Sequence, residues 1–130
     1  MQLSAAIATG VRQMVSELRA VAVIIYSQTG ATARIFSKHR FPVPIIALSS
    51  DHAALRRMAL HYGVCPCEMA PSDDLVELVA RVDRLVQELK YAAAGDRVII
   101  VAGASLGTPG TMNGIVLHTV GEHWSPITGS

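Results

Sequence analysis

Short runs of aliphatic and β-branched residues alternate with segments of helical periodicity along this chain, and this alternation constrains the fold more than any other feature. Apolar runs of about four to eight residues have the length of strands that are buried on both faces. Strands that alternate with helices pair in parallel through right-handed crossovers, and the helices cover both faces of the sheet. We therefore predict an α/β fold with three layers, α/β/α. The predicted strands are residues 21–26, 45–48, 64–69, 97–102 and 115–120.

The connection between the last two predicted strands, residues 103–114, is too short for a helical crossover. The last strand should therefore pair antiparallel, which makes the five-stranded sheet mixed. Short polar side chains that can accept hydrogen bonds from first-turn amides mark two helix starts, at residues 49–51 and at residues 72–74. Gly63 suits the left-handed end of a helix. The predicted helices are residues 4–18, 33–38, 53–62 and 75–93.

Length and charge limit the class of protein. A chain of 130 residues suits one domain, which we place at residues 1–121, with a loose tail at 122–130. Eleven basic and ten acidic residues nearly balance, whereas a nucleic-acid or membrane-surface partner would favour a strong basic excess. The longest apolar run, residues 21–26, falls far short of the ~20 residues that span a bilayer, and the first residues lack a signal-peptide pattern. We expect a cytoplasmic protein with neither kind of partner.

No arrangement of reactive side chains predicts a catalytic or metal centre. Cys65 and Cys67 flank Pro66 in a predicted strand, where they are poorly placed for a disulfide and lack two further metal ligands. Asp73 and Asp74 stand where a helix start favours negative charge. We expect reduced cysteines, no catalytic residue and no bound metal. The histidines have no metal-ligand spacing; they are His39, His52, His61, His118 and His123.

A polar turn follows the first predicted strand, at the edge where open parallel sheets bind ligands. Its glycine and the start of the next helix leave backbone amides facing outward, and such amides together with hydroxyls bind anions. The turn lacks the lysine and the spacing of a Walker A loop. It predicts a phosphate site, although the same residues could simply cap the helix. This hydroxyl-rich turn consists of Ser27, Gln28, Thr29, Gly30, Ala31 and Thr32.

A second candidate is the glycine-rich connection at residues 103–114, which has four glycines in twelve residues. In a three-layer fold this loop would emerge beside the hydroxyl-rich turn and could close over a ligand. It could equally be an ordinary long connection between two strands.

Several segments together resemble the C-terminal domain of pyruvate kinase. Residues 23–40 (VIIYSQTGATARIFSKHR) are similar to the family's first strand, effector loop and first following helix. The likeness extends from about Ser4 to Gly121, nearly the whole chain. Further similar segments are residues 44–48 (PIIAL), 57–66 (RMALHYGVCP), 95–103 (GDRVIIVAG), 110–113 (GTMN, resembling a G-x-T-N loop) and 118–120 (HTV).

The resemblance implies a regulatory three-layer domain whose mixed sheet has an antiparallel last strand. In pyruvate kinases a sugar-phosphate effector, often fructose 1,6-bisphosphate, places one phosphate in the loop that corresponds to the hydroxyl-rich turn. The resemblance also implies one of the subunit contacts of a homotetramer, so the expected partners are a small phosphorylated metabolite and further copies of the chain. The glycine-rich loop is implied to close on the rest of the effector through Ser105, Gly107, Gly110, Thr111 and Asn113.

The family's (β/α)8 barrel, with its phosphoenolpyruvate, ADP, Mg²⁺ and K⁺ sites, has no counterpart in these residues. Phosphoryl transfer depends on those ions and on positioned cations, so we expect no cofactor and no kinase activity in this chain alone. Members that bind a bisphosphate hold its second phosphate with a Trp and an Arg near the long helix. Here Leu78 stands at about the arginine position, Arg81 and Arg84 are out of register, and the only tryptophan is Trp124. A monophosphate ligand, or none, fits this sequence better.

The leading interpretation is therefore the regulatory domain of a pyruvate kinase that binds a phosphorylated metabolite. A second interpretation is a stand-alone interaction module whose apolar helix face assembles subunits and whose effector site is vestigial. A third is an independent hydrolase or transferase on the same fold, for which no nucleophile–base pair is visible in the sequence.

Overall fold

A computed structural model of the chain describes residues 3–72, 74–102 and 114–124. Each described strand begins and ends within one residue of its predicted bounds. The helices are α1 (Leu3–Leu18), α2 (Ala31–Ser37), α3 (His52–Met58) and α4 (Leu75–Glu88), and the strands are β1 (Ala22–Tyr26), β2 (Ile45–Ser49), β3 (Val64–Glu68), β4 (Arg97–Ala102) and β5 (Gly114–Thr119).

The described strands form one mixed sheet in the order β3-β2-β1-β4-β5. β1 pairs in parallel with β2 and with β4, and β2 pairs in parallel with β3. β5 runs antiparallel to β4, with Ile115 opposite Val101 and Leu117 opposite Ile99. The predicted mixed sheet with an antiparallel last strand is confirmed. Because the chain builds outward from β1 in both directions, the switch point of the sheet lies between β1 and β4.

Alternate residues of the strands face two different helix layers. On one face, Ile24 of β1 lies in a cluster with Leu78 of α4. On the other face, Val23 clusters with Phe36 of α2 and with side chains of α1, and Met58 of α3 packs there against α2 and β2. The predicted three-layer α/β/α fold is confirmed. These side chains are fully buried, and burial of each stabilises the fold by about 1.5–3 kcal/mol.

Both helix caps predicted from aspartates are confirmed. The side chain of Asp51 accepts a hydrogen bond from the amide of Ala53 at 3.0 Å, and that of Asp74 accepts one from the amide of Val76 at 3.0 Å. Each cap satisfies a first-turn amide that has no partner inside the helix, a contribution of about 1 kcal/mol. The start of α3, and with it the residues that α3 carries, is thereby fixed next to the end of β2.

The predicted ends of α3 and α4 were wrong, because both helices stop earlier than residues 62 and 93. After α3, the amides of Leu60 and His61 make short-range backbone hydrogen bonds that tighten the chain into a turn before β3. After α4, Lys90 adopts a left-handed conformation (φ 62°) and the amide of Tyr91 donates to the carbonyl of Val86 at 2.9 Å, which closes the helix end. Glycine usually takes this position, so a lysine gave no signal in the sequence.

Candidate functional site

The hydroxyl-rich turn lies at the edge of the sheet where the parallel strands end. β1 ends at Tyr26 and β2 ends at Ser49, and Tyr26 is opposite Leu48 in the parallel register. The segments that follow these two strands therefore meet at one edge of the sheet. The ligand contacts predicted for the glycine-rich loop lie outside the described residues; they are Ser105, Gly107, Gly110, Thr111 and Asn113. Residues 125–130 of the predicted tail also lie outside the described residues.

Ser27 and Gly30 close the turn on itself. Ser27 is buried, its amide donates to the carbonyl of Leu48 at 2.9 Å, and its carbonyl accepts a hydrogen bond from the amide of Gly30 at 3.1 Å. Gly30 has a φ of 88°, and a Cβ at this position would lie 3.1 Å from Cγ of Met58. Only glycine therefore fits this position without strain. The amides of Ser27 and Gly30 are already paired, so they shape the turn and are not available to a ligand.

Gln28 fastens the turn to the end of β2. Its side-chain Oε1 accepts a hydrogen bond from the amide of Ser50 at 3.0 Å, and its Nε2 donates to the hydroxyl of Ser50 at 2.6 Å. Its backbone carbonyl accepts a hydrogen bond from the hydroxyl of Ser49 at 2.9 Å. The phenol of Tyr26 donates to the same Oε1 at 3.2 Å. The Gln28 side chain is therefore occupied by protein groups and positions the turn.

Thr29, Ala31 and Thr32 provide the remaining donors of the turn. Thr29 and Ala31 are exposed and Thr32 is half-buried. The amide of Ala31 donates to Oγ1 of Thr29 at 3.3 Å, a long hydrogen bond. The first backbone hydrogen bond of α2 runs from Arg34 to Gly30, at 3.0 Å. Within the described residues no acceptor faces the Thr32 hydroxyl or the amides of Thr29 and Thr32, so these groups are the ones that an anion could reach.

A cavity of about 490 Å³ adjoins this turn and lies between α2 and α3. A hydrogen bond of 3.0 Å joins two of its lining residues, from Nη2 of Arg57 to the carbonyl of Thr29. None of its lining residues is acidic, so the cavity presents positive charge and hydrogen-bond donors. We call it the arginine cavity; it is lined by Thr29, Gly30, Ala31, Arg34, Arg57, Leu60 and His61.

Arg34 and Arg57 were not among the predicted site residues. Arg34 follows Gly30 by four residues, and helical periodicity alone places it on the side of α2 that adjoins the turn. Arg57 lies 28 residues after Thr29 and meets it only because α3 packs beside α2. The sequence contained a local signal for the first arginine and none for the second.

His118 and Asp83 form a second polar cluster, which joins β5 to α4 beside a smaller cavity of about 270 Å³. His118 is 2% exposed, and its Nε2 lies 2.6 Å from Oδ2 of Asp83. An ionised carboxylate only accepts, so this imidazole nitrogen is the donor. Asp83 also accepts hydrogen bonds from the amide of Gly121 at 2.8 Å and from Nε2 of Gln87 at 2.6 Å. Burial alone would raise the pKa of Asp83, but these hydrogen bonds outweigh it and hold the pKa below its ordinary value.

Cys65 and Cys67 are free thiols, as the sequence predicted. Sγ of Cys65 lies 2.6 Å from the phenol oxygen of Tyr91. The hydrogen bond with Cys65, together with burial, raises the pKa of Tyr91 to about 12. Burial, and then the neighbouring Cys65, raises the pKa of the Cys67 thiol. In the described part of the chain, no three His, Cys, Asp or Glu side chains are grouped so that they could hold a metal ion.

Helix α4 offers no open arginine at the position where the family resemblance would place a second phosphate. Leu78 is fully buried in the core between α4 and the sheet. Arg81 is half-buried and is engaged by the carboxylate of Glu77 and by the carbonyl of Ala70. Arg84 lines the smaller cavity near Asp83. That this helix holds no second phosphate stays a prediction.

Comparison with known proteins gives the family. The family model described as "Pyruvate kinase, alpha/beta domain" matches residues 5–118. The chain belongs to this family. A pyruvate kinase of Dictyostelium discoideum is 36% identical over 113 residues, which cover 82% of this chain and 21% of the relative. A pyruvate kinase of Clostridium acetobutylicum is 32% identical over 117 residues, which cover 88% of this chain and 24% of the relative.

The fold of the pyruvate kinase alpha/beta domain is also found in a solved structure. A Cryptosporidium parvum pyruvate kinase in complex with ADP superposes with a TM-score of 0.82 at 24% identity, over 92% of this chain and 24% of that chain. The chain thus spans about a quarter of the length of the relatives that it matches. Among the described helices, none has both the length and the apolar character required to cross a membrane.

Proposed function

We propose that this domain binds a small phosphorylated metabolite at the hydroxyl-rich turn and serves as the regulatory domain of a pyruvate kinase. The observation that carries the proposal is the set of donors on Thr29 and Thr32 that have no acceptor in the described chain. Donors of this kind at a strand–helix junction favour an anion. In the full enzyme the family resemblance implies phosphoryl transfer from phosphoenolpyruvate to ADP, which we assign to parts of the enzyme outside these residues.

The surroundings of the turn also favour a phosphate. Arg57 and Arg34 line the adjoining cavity, and no carboxylate lines it to repel an anion. Each hydrogen bond to a charged group contributes about 1.5–3 kcal/mol, less where the site is open to water. Because Thr29 and Arg34 are exposed, we expect a dissociation constant between about 1 mM and 1 μM.

Calorimetric titration with glucose 6-phosphate, with glucose as the uncharged control, tests the proposal. The double variant Thr29→Ala/Thr32→Ala removes two hydroxyl donors and should weaken binding about tenfold, which corresponds to about 1.4 kcal/mol. Thr9→Ala is the matched control, because Thr9 is an exposed threonine of α1 that does not line the arginine cavity. An unsubstituted chain that gives no heat at millimolar glucose 6-phosphate would contradict the proposal.

A second candidate function is assembly of subunits, and the outer strand β5 favours it. Ile115 and Leu117 are 40% and 39% exposed on the face of the sheet that also carries α1. β5 is an edge strand of the described sheet, so its outer backbone groups can pair with another strand. The exposed apolar side chains lie on a strand, whereas the sequence interpretation placed them on a helix face.

Sedimentation velocity distinguishes assembly through β5 from a monomeric domain. Leu117→Lys introduces a charge on the exposed face of β5 and should shift an oligomer to the monomer. Leu89→Lys is the control, since Leu89 is a comparably exposed leucine at the end of α4. If the unsubstituted chain sediments as a monomer at high concentration, or if both variants dissociate the oligomer equally, β5 is not the contact.

A further inference from the structure

We propose that the arginine cavity binds a second anionic group of the same ligand, so that the ligand is a phosphate ester with a second acidic group. The inference rests on the proposed function, in which the hydroxyl-rich turn holds the phosphate. It assigns the second group to Arg34, Arg57 and His61, which line one cavity between α2 and α3. This cavity lies on the opposite side of the sheet from α4, where the family resemblance would place a second phosphate.

Unbalanced positive charge is the first support for this site. Residues 27–63 contain five lysines and arginines and one acidic residue, although the whole chain carries a formal net charge of only +1. The single acid, Asp51, caps α3 and does not line the cavity. Ion pairs among the described residues involve Glu68, Glu77 and Asp83, so neither Arg34 nor Arg57 has a carboxylate partner there.

The second support is the geometry of the donors. Arg34 projects from α2 and Arg57 from the last turn of α3, so the two guanidinium groups approach the cavity from different helices. Arg57 uses Nη2 to bond the carbonyl of Thr29 at 3.0 Å. A guanidinium has five N–H donors in a planar fork, so most of its donors remain for a carboxylate or phosphate, which that fork can bind through two parallel hydrogen bonds. The imidazole of His61 also lines the cavity and offers a ring nitrogen to a ligand.

The size and apolar wall of the cavity indicate a ligand larger than one phosphate. Its volume of about 490 Å³ lies within the range of about 300–1,000 Å³ that is typical of small-molecule sites. Leu60 lines this cavity. It is 85% exposed, more than any other large apolar side chain among the described residues. An exposed apolar side chain in the wall of this cavity can cover the carbon chain that joins two acidic groups.

Matched pairs of ligands test the second subsite by calorimetry on the whole chain. 6-Phosphogluconate and glucose 6-phosphate share a phosphate and six carbons, and differ in a terminal carboxylate. Fructose 1,6-bisphosphate and fructose 6-phosphate differ in a second phosphate. We expect the doubly acidic member of at least one pair to bind about tenfold more tightly than its partner at low salt, and the pair that responds identifies the second group as carboxylate or phosphate.

Arg57→Gln and Arg34→Gln should each reduce that tenfold preference to about twofold, while Arg56→Gln keeps it. Arg56 is the matched control, because it is the neighbouring exposed arginine of α3 and does not line the cavity. Because Arg57 also contacts the turn, the quantity to compare is the ratio of the two affinities within each variant, and Arg34 gives an independent reading from the other wall. Circular dichroism confirms that each variant is folded.

Three results would overturn the inference. Equal affinities within both ligand pairs would refute the second subsite and leave the phosphate site of the proposed function intact. A preference that survives in both Arg57→Gln and Arg34→Gln would place the second group elsewhere. The absence of binding by all four ligands would remove the second subsite together with the proposed function.

Discussion

Replacement of Asp83 by alanine should destabilise the fold more than any other substitution of an acidic residue in α4. The carboxylate accepts hydrogen bonds from Nε2 of His118, from the amide of Gly121 and from Gln87, and thereby joins α4 to the end of β5. His118 is 2% exposed, so its nitrogen would lose its acceptor in a largely buried position. A buried polar group without a partner costs about 1–3 kcal/mol.

The expected loss can be estimated from these three contacts. The orphaned His118 contributes about 2 kcal/mol and the Gly121 amide, which is more exposed, about 1 kcal/mol, whereas Gln87 is exposed and regains water. A loss of about 3 kcal/mol is a large part of the 5–15 kcal/mol that typically stabilises a domain. For a domain of this size it corresponds to a decrease in Tm of about 10 °C.

Urea denaturation, followed by circular dichroism at about pH 6 and again in acid, measures this effect. The pKa of Asp83 is lower in the folded chain than its ordinary value of 3.8. The ionised carboxylate therefore stabilises the fold above pH 3.8, and this contribution is lost as the pH falls through the folded-state pKa. The difference between the unsubstituted chain and Asp83→Ala should be full at about pH 6 and should shrink in acid.

Glu88→Ala is the control for Asp83→Ala, because Glu88 is an exposed acid of the same helix without a hydrogen bond in the described residues. It should change the free energy of unfolding by less than about 0.5 kcal/mol. The reasoning is refuted if Asp83→Ala costs no more than Glu88→Ala, or if the cost of Asp83→Ala grows as the pH is lowered.

Two further predictions concern the turn and the edge of the sheet. In urea denaturation, Gly30→Ala should lower the free energy of unfolding by about 1–2 kcal/mol, because Gly30 has a φ of 88° and its new Cβ would lie 3.1 Å from Met58. Gly10→Ala, whose new Cβ meets nothing within 4 Å in α1, should instead raise the free energy of unfolding by up to about 1 kcal/mol in the same measurement. Alkaline titration tests the environment of Tyr91, whose pKa is about 12 in the folded chain against an ordinary 10.0. The neutral phenol therefore contributes fully to the free energy of unfolding below pH 10.0, and this contribution is lost as the pH rises toward 12. Tyr91→Phe should lack this component, and the amplitude of its late tyrosinate absorbance should be smaller, because only Tyr26, whose pKa burial also raises, then titrates late. An unchanged late amplitude in the variant would contradict the assignment.

The sheet was predictable from the sequence because its signals are local. Five apolar runs gave the strands to within one residue, and the short connection before β5 gave its antiparallel direction. The ends of α3 and α4 were not predictable in the same way. Lys90 adopts a left-handed conformation that local propensity assigns to glycine, and the amide of Tyr91 then closes the helix end on the carbonyl of Val86. Local preference identified the elements, and the backbone turns after α3 and α4 decided where these two helices stop.

For the candidate site, too, the local sequence predicted some features, and contacts with other elements decided the rest. The sequence located the hydroxyl-rich turn because a strand, a glycine and the start of a helix are consecutive in the chain. It could not separate the residues that shape the turn, Ser27, Gln28 and Gly30, from those that face outward, Thr29 and Thr32. That distinction depends on hydrogen bonds to Leu48 and to Ser50, which belong to another strand and the loop after it. The position of Arg57 at this site depends wholly on the packing of α3 beside α2, because Arg57 lies 28 residues after Thr29.

The hydroxyl-rich turn and the arginine of α3 are parts of one connected unit. Gln28 of the turn donates a hydrogen bond to Ser50. The residue after Ser50 is Asp51, which caps the start of α3. In the last turn of α3, Arg57 donates a hydrogen bond to the carbonyl of Thr29 in the turn. A change in the turn therefore changes both ends of α3, because each end is held by a hydrogen bond that involves the turn or its direct neighbour. A ligand that displaces Arg57 from Thr29 would release the second of these restraints while the first remains. Under the proposed function, a ligand that binds Arg57 would act directly on the residue that holds the last turn of α3 to the hydroxyl-rich turn.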